Sequence, residues 1–286
     1  MFINLYKSIK DVGYKERPAL KSHYIKGTVN SKGYLIINGG YHRLSILKHL
    51  KYKSIPILVT DHYPEFETFY NNIYGVQKKG EFIYHPVNHW SCSEWTASRG
   101  ANRSILISQH IEDNSRILDL GCDGGGVSHD FAFKGCKIIG IDHRAEAIYN
   151  ARYVATYHAS RNREIKKYIN QLNGLLKYDT YKIPTYIQSN IIDGMGKIKG
   201  NVDYTLFLSV YRWLLKNKTA TEVITKMGKM TNKAIFMDVE HHLEKETKQQ
   251  ILKLTKFTKI DKIGIETSGD KMGRAYNKPR KIYKIS

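Results

Sequence analysis

Downstream of residue 115 the chain alternates short apolar runs with polar, helix-compatible stretches, the order that an open parallel α/β sheet requires. RILDLG (116–121), KIIGID (137–142) and TYIQSNI (185–191) read as strands, and VDYTLFLSVYRWL (202–214) as a fourth strand with its following loop. KAIFMDVEHH (233–242), TKIDKIGIE (258–266) and RKIYKIS (280–286) supply three more. Between them, VSHDFAFKG (127–135) and AEAIYNARYVATYH (145–158) predict helices. The pattern predicts an α/β architecture with a doubly wound, mostly parallel sheet of seven strands.

Near the N-terminus a separate pattern appears. GYLIINGGYHRLSILKHLKYKSIPILV (33–59) reads as strand, tight turn, amphipathic helix, short loop and strand, with Leu44, Ile46, Leu47 and Leu50 loosely on one helical face. Two hundred and eighty-six residues exceed what one core usually needs, so a minor and a major unit are expected. The divide is expected at 60–84, in a stretch of Pro, Gly, Asn and aromatics too aromatic for a free linker. The predicted units are a small α+β domain at 1–62, a connecting and lid segment at 63–110, and the large α/β domain at 111–286.

Candidate chemistry concentrates in ILDLGCDGGG (117–126). An apolar strand turns through glycines into a helix, and a second strand ends in an acid at Asp142. Glycines let a backbone approach a ligand, a helix N-terminus offers unpaired N–H groups, and an acid at a strand tip can accept both hydroxyls of a ribose. A dinucleotide fingerprint would need G-x-G-x-x-G, but the run here is Asp119-x-Gly121-x-Asp123-x-Gly125. It resembles motif I of the class I S-adenosylmethionine (SAM) methyltransferases, which usually reads D-x-G-x-G-x-G, so Asp123 departs from the middle glycine. Acids beside the turn suit a sulfonium better than a pyrophosphate.

The resemblance extends over roughly the last 170 residues and implies a Rossmann-like fold closed by an antiparallel hairpin, GRAYNKPRKIYKI. It implies cofactor contacts from Asp119, Gly121, Cys122, Asp123 and Gly125, from Asp142 and His143, from Asn190 and Ile191 at the adenine end, and from Ser209. The lead-in YHPVNHWSCSEWTASRGANRSILI (84–107) resembles that of one branch of these enzymes. There Arg99 or Arg103 could fork onto the cofactor carboxylate; alternatively Trp90 and Trp95 pack a helix on the sheet and both arginines sit in water.

Residues 1–60 resemble the ParB/sulfiredoxin-like fold, in which a glycine turn before His-Arg starts a phosphate-holding helix. Gly39, Gly40, His42 and Arg43 match that pattern. Tyr41 stands where sulfiredoxins carry cysteine, which excludes sulfinic-acid reduction and leaves nucleotide binding or a structural remnant.

Forty-six basic against twenty-six acidic residues give a net charge of +20. Basic residues interleaved with Tyr and Asn, as in 159–182 and 271–286, suit nucleic acid. Anionic sugars, nucleotide-sugars or phospholipid headgroups would be drawn by the same field, and lysine-rich composition alone would look alike. Cys92, Cys122 and Cys136 are too few and scattered for a disulfide frame or a zinc site, and no metal is expected. No stretch approaches a membrane span or signal core, so a cytoplasmic protein is expected.

Methyl transfer needs a positioned acceptor and, for an oxygen acceptor, a base. Strand ends four and five offer Tyr211, Arg212 and Trp213, then Asp238, Glu240, His241 and His242. His241 or His242 is the preferred base, the alternative being a helix cap and a solvated ring. Trp213 lines a pocket or the core, and His85 and His89 are further candidates. The acceptor is an oxygen or nitrogen on a small molecule, a glycan or sugar derivative, or RNA. LSVYRWL faintly resembles enzymes acting on RNA 5′ phosphates, whereas a fused ParB-like piece looks like arrangements beside carbohydrate-modifying genes. The alternative class is a non-catalytic nucleotide- or nucleic-acid-binding protein.

Overall fold

The computed structural model describes residues 9–11, 24–30, 35–53, 55, 57–62, 64–65, 67–69, 71–72, 102–171, 181–239, 243–266 and 280–286. The chain divides into two compact units, Met1–Tyr70 and Asn71–Ser286.

In the first unit, β1 (Ile25–Val29) lies between β2 (Leu35–Gly39), antiparallel to it, and β3 (Ile57–His62), parallel to it. Helix α1 (Tyr41–His49) follows β2 directly. The turn between them needs glycine: Gly40 has φ 82°, and a Cβ there would lie 2.8 Å from Ile25 Cα. Ile46 and Leu47 of α1 pack with Ile9 and Ile25 to form the core of this unit.

The second unit is a Rossmann-like α/β domain with a seven-stranded sheet. Its strands are β4 (Arg116–Leu120), β5 (Lys137–Asp142), β6 (Thr185–Gln188), β7 (Val202–Leu208), β8 (Thr231–Val239), β9 (Ile260–Ile265) and β10 (Lys281–Ile285). They lie in the order β6-β5-β4-β7-β8-β10-β9, and β10 alone runs opposite to the other six. The largely apolar runs have a physical cause: a parallel sheet is covered on both faces, so both sides of a strand favour apolar residues. Leu118, Phe207, Ile235 and Tyr283 enter one core, while Ile117, Leu206, Phe236 and Ile282, each one residue away, enter the other.

The helices are α2 (Asn102–Ser108), α3 (Gly126–Phe133), α4 (Ala145–Gln171), α5 (Ile191–Gly196), α6 (Tyr211–Lys216), α7 (Ala220–Met230) and α8 (Glu244–Leu254). Three differ from the pattern reading. The helix after β5 runs on through residue 171, so the first half of the basic stretch at 159–182 extends α4. The third strand stops at Gln188, because Asn190 caps α5. The loop expected after β7 is a short helix, α6. Among the described residues no helix is long and apolar enough to cross a membrane.

Strand order reverses between β4 and β7. Their carboxyl ends therefore flank the crevice at which open α/β sheets bind ligands.

Candidate functional site

At the end of β4 the backbone enters the left-handed region three times at alternate residues: Gly121 at φ 70°, Asp123 at φ 50° and Gly125 at φ 77°. Glycine takes this conformation freely, and Asp is among the few side chains that visit it without large cost. The departure from the usual glycine is thus compatible with the same turn. The N–H groups of Gly121 and Cys122 both reach Ile141 O, at 2.8 and 3.0 Å, which ties the loop to β5.

The loop is closed beneath and open above. A Cβ on Gly125 would lie 2.4 Å from Tyr186 Oη and 3.0 Å from His129 Nε2, whereas one on Gly124 would meet nothing within 4 Å. The floor is a buried polar cluster in which His129 Nδ1 lies 2.7 Å from Tyr181 Oη and Nε2 lies 3.4 Å from Tyr186 Oη. Burial, reinforced by nearby His158, lowers the His129 pKa to about 3, so its imidazole is neutral.

Three carboxylates border the turn. Asp119 accepts from Ser128 Oγ at 2.6 Å. Burial raises its pKa to about 6, against the opposing effects of Ser128 and Arg103. Asp142, at the tip of β5, accepts at Oδ2 from the Asp123 N–H at 3.0 Å and at Oδ1 from the Arg144 N–H at 2.9 Å. The Arg144 side chain reaches the same Oδ1 from Nε at 3.4 Å, and its Nη2 donates to Asp123. His143 is exposed, with Nδ1 3.7 Å from Asp142 Oδ1. Burial and the surrounding acids push the Cys122 thiol well up, and it packs as a small apolar group with Ile148, Ala151 and Tyr186. A carboxylate fixed at a strand tip beside a glycine turn can accept hydroxyl donors from a ligand.

Across the switch point lies a second polar cluster. Ser209, at the end of β7, sits at φ 61° with its N–H and Oγ both on Asp238. Arg103 Nη2 donates to Asp238 Oδ2 and Glu266 Oε2, each at 2.8 Å. Arg280 Nη1 reaches Ser209 Oγ at 2.8 Å and Asp238 Oδ2 at 3.2 Å. Although burial raises the Asp238 pKa, Arg103 and Arg280 outweigh it and hold the carboxyl below the usual range.

The structure brings Asp119, Gly121, Cys122, Asp123, Gly125, Asp142 and His143 together around one turn. Ser189 N bonds Asp142 O at 2.9 Å, which sets Asn190 and Ile191 beside Asp142. Val210 Cγ2 would meet a Cβ on Gly121 at 2.8 Å, so the loop after Ser209 also abuts the turn.

Several roles need correction. Asn190, expected at the adenine end, caps α5 with its amide, accepting from Asp193 N at 2.9 Å and donating to Asp193 Oδ2 at 2.6 Å. Its spacing to Asp193 was the signal for this cap. Ile191 packs against the core. Arg103 neither sits in water nor stands ready for a ligand carboxylate, being 1% exposed and shared between two protein carboxylates. Tyr211 is buried, with its hydroxyl on Glu246 and Gln250 of α8, so it does not face the turn as a catalytic group. Trp213 is 59% exposed and is not a core residue; Lys216 Nζ lies 5.7 Å from its ring centroid. Arg99, His85, His89, Glu240, His241 and His242 lie outside the described residues. Arg144, Glu266 and Arg280 were missed; only Arg144, two residues past Asp142, had a local signal. Among the described residues no group of three or more His, Cys, Asp or Glu could hold a metal ion.

No family model matches the chain, and no curated protein matches it in sequence. Solved structures do match in fold. The bifunctional kinase-methyltransferase WbdD superposes with a TM-score of 0.52 at 19% identity, over 75% of this chain and 46% of that one. Magnesium protoporphyrin IX methyltransferase (ChlM) from Synechocystis PCC 6803, solved with bound SAM, gives 0.43 at 15% identity over 64% of this chain and 74% of that one. The N-methyltransferase NodS from Bradyrhizobium japonicum WM9 gives 0.44 at 12% over 64% and 92%. The chain thus spans about half the length of WbdD. The WbdD match supports the fold of the seven-stranded domain.

Proposed function

We propose that the chain is a SAM-dependent methyltransferase acting on a polar oxygen or nitrogen acceptor. The observation that carries this is the turn after β4, open above Gly124, with the Asp142 carboxylate held beside it by the Asp123 N–H at 3.0 Å. Asp142 would hold the ribose hydroxyls, the loop N–H groups and α3 would border the methionine end, and Asn190 would contribute near the adenine. When bound, the cofactor supplies an electrophilic methyl group; the chain supplies orientation, exclusion of water and a proton acceptor. Asp119 keeps negative charge near the turn above about pH 6, which suits a sulfonium and opposes a pyrophosphate. His241 or His242 is the proposed base.

A net charge of +20 favours an acceptor carried on an anion, either an anionic glycan or sugar derivative or RNA. The N-terminal unit is proposed to be ParB/sulfiredoxin-like, with Gly40, His42 and Arg43 at the start of α1, and a connecting segment at 63–110.

Isothermal titration with SAM and with S-adenosylhomocysteine tests the proposal. Saturable binding that Asp142→Ala weakens at least about tenfold supports it. No heat with either compound favours the non-catalytic nucleotide- or nucleic-acid-binding alternative. Retardation on an RNA pool at low and high salt then separates RNA from sugar acceptors.

A further inference from the structure

We infer that Asp123 and Arg144 form a latch that positions Asp142, so that Arg144 offsets the acid standing where the motif has glycine. The inference rests on the SAM reading for its ligand, and on the ligand-free geometry for its existence.

An acid at position 123 is an unexpected neighbour for Asp142. The two side chains are 14% and 6% exposed, so two like charges are set close together with little solvent to screen them. Arg144 stands between them. Its Nη2 donates to Asp123 Oδ1, and its Nε and its own backbone N–H approach Asp142 Oδ1 at 3.4 and 2.9 Å. Asp142 Oδ2 is held from the other side by the Asp123 N–H at 3.0 Å, which points there because Asp123 is left-handed at φ 50°.

One guanidinium therefore does two things. It neutralises the acid that stands where the motif has glycine, and it holds that acid in the backbone conformation that aims an N–H at Asp142. The guanidinium is 49% exposed, so a ligand can approach Asp142 without displacing a buried arginine.

Each half without the other is harmful in its own way. Removing Arg144 leaves two adjacent carboxylates unneutralised and the turn free to open. Removing only the Asp123 carboxylate frees Arg144 to fork onto Asp142 and compete with ribose hydroxyls for its oxygens. Removing both leaves a glycine turn beside an unencumbered Asp142.

A double-mutant cycle on the full chain tests the latch, with SAM dissociation constants from calorimetry and unfolding midpoints without ligand. Arg144→Ala and Asp123→Gly should each weaken SAM binding about three- to fivefold, and the double variant should return to within about twofold of the starting protein. Asp123→Asn, which keeps the left-handed conformation without the charge, should behave as Asp123→Gly does. Raising salt to about 0.5 M should shrink the Arg144→Ala deficit. If the double variant's loss equals the product of the single losses, the latch is overturned. If the starting protein binds no SAM, the methyltransferase reading fails instead, and the latch is judged by the midpoints alone: strictly additive shifts there overturn it too.

Discussion

Arg103 and Asp238, 135 positions apart in the chain, meet at 2.8 Å with side chains only 1% and 0% exposed. Helix α2 is thereby pinned to the end of β8, and through Glu266 to the end of β9. Two cations, Arg103 and Arg280, oppose two anions, Asp238 and Glu266, so the cluster is balanced as long as it is complete.

Breaking a buried pair by removing one partner costs far more than the pair contributes, because the remaining charge cannot regain water. Arg103→Met should lower unfolding stability by about 3–5 kcal/mol and the melting temperature by roughly 10 °C. Arg103→Lys should recover only part of this, since a point charge cannot serve Asp238 and Glu266 as a planar fork does. Urea denaturation of the three proteins is the check; an Arg103→Met loss under about 1 kcal/mol would place the arginine in water after all.

Tyr211 follows the end of β7, where a catalytic side chain would belong on pattern alone. Its hydroxyl instead lies 3.3 Å from Glu246 Oε1 and 3.1 Å from Gln250 Oε1, and burial pushes its pKa up to about 12. Tyr211→Phe should therefore leave SAM affinity unchanged while costing about 1 kcal/mol of stability. Loss of affinity without loss of stability would return Tyr211 to the site.

Asp119 is the carboxylate on which burial wins. With a folded pKa of about 6 against an ordinary value near ~4, the native state prefers the protonated form. Its contribution is fully present below about pH 4 and is lost as pH rises through about 6. Asp119→Asn is neutral throughout and still accepts from Ser128. The stability of the variant relative to the original should rise between pH 4 and 7, by roughly 2 kcal/mol. Urea unfolding at pH 4, 5, 6 and 7 measures it, and a slope of opposite sign would mean that Arg103 outweighs burial.

What could be read from residue order follows from what each feature depends on. The strands of the large sheet were legible because burial on both faces favours largely apolar runs such as RILDL and VDYTLFL. The glycine turn was legible because its backbone angles restrict the side chains it accepts. β1 was not, since IKGTV is five residues with a glycine and a lysine and has a weak pattern of its own. Arg103 was misplaced because its partners, Asp238 and Glu266, lie 135 and 163 residues away, a pairing no local pattern encodes. The cap made by Asn190 was overlooked for a different reason: cap and ligand contact call for the same amide, and Asp193 three residues on was its local sign.

The turn itself offers the sharpest division between folding and binding, because Gly124 and Gly125 are neighbours with opposite surroundings. Gly125 is at φ 77°, and an added Cβ would lie 2.4 Å from Tyr186 Oη, so Gly125→Ala is strained in backbone and in packing. It should destabilise the protein by at least about 2 kcal/mol, and Tyr186→Phe should relieve little of that, since the left-handed angle remains. Gly124 faces open space, with nothing within 4 Å of an added Cβ. Gly124→Ala should therefore leave the melting temperature nearly unchanged. If that space belongs to the cofactor, the same methyl group should weaken SAM binding about tenfold or more, the range over which one misplaced carbon discriminates ligands in a closed site. Thermal unfolding and calorimetry on the two variants give four measurements. An intact affinity in Gly124→Ala would move the ligand away from this turn, whatever the fate of Gly125→Ala.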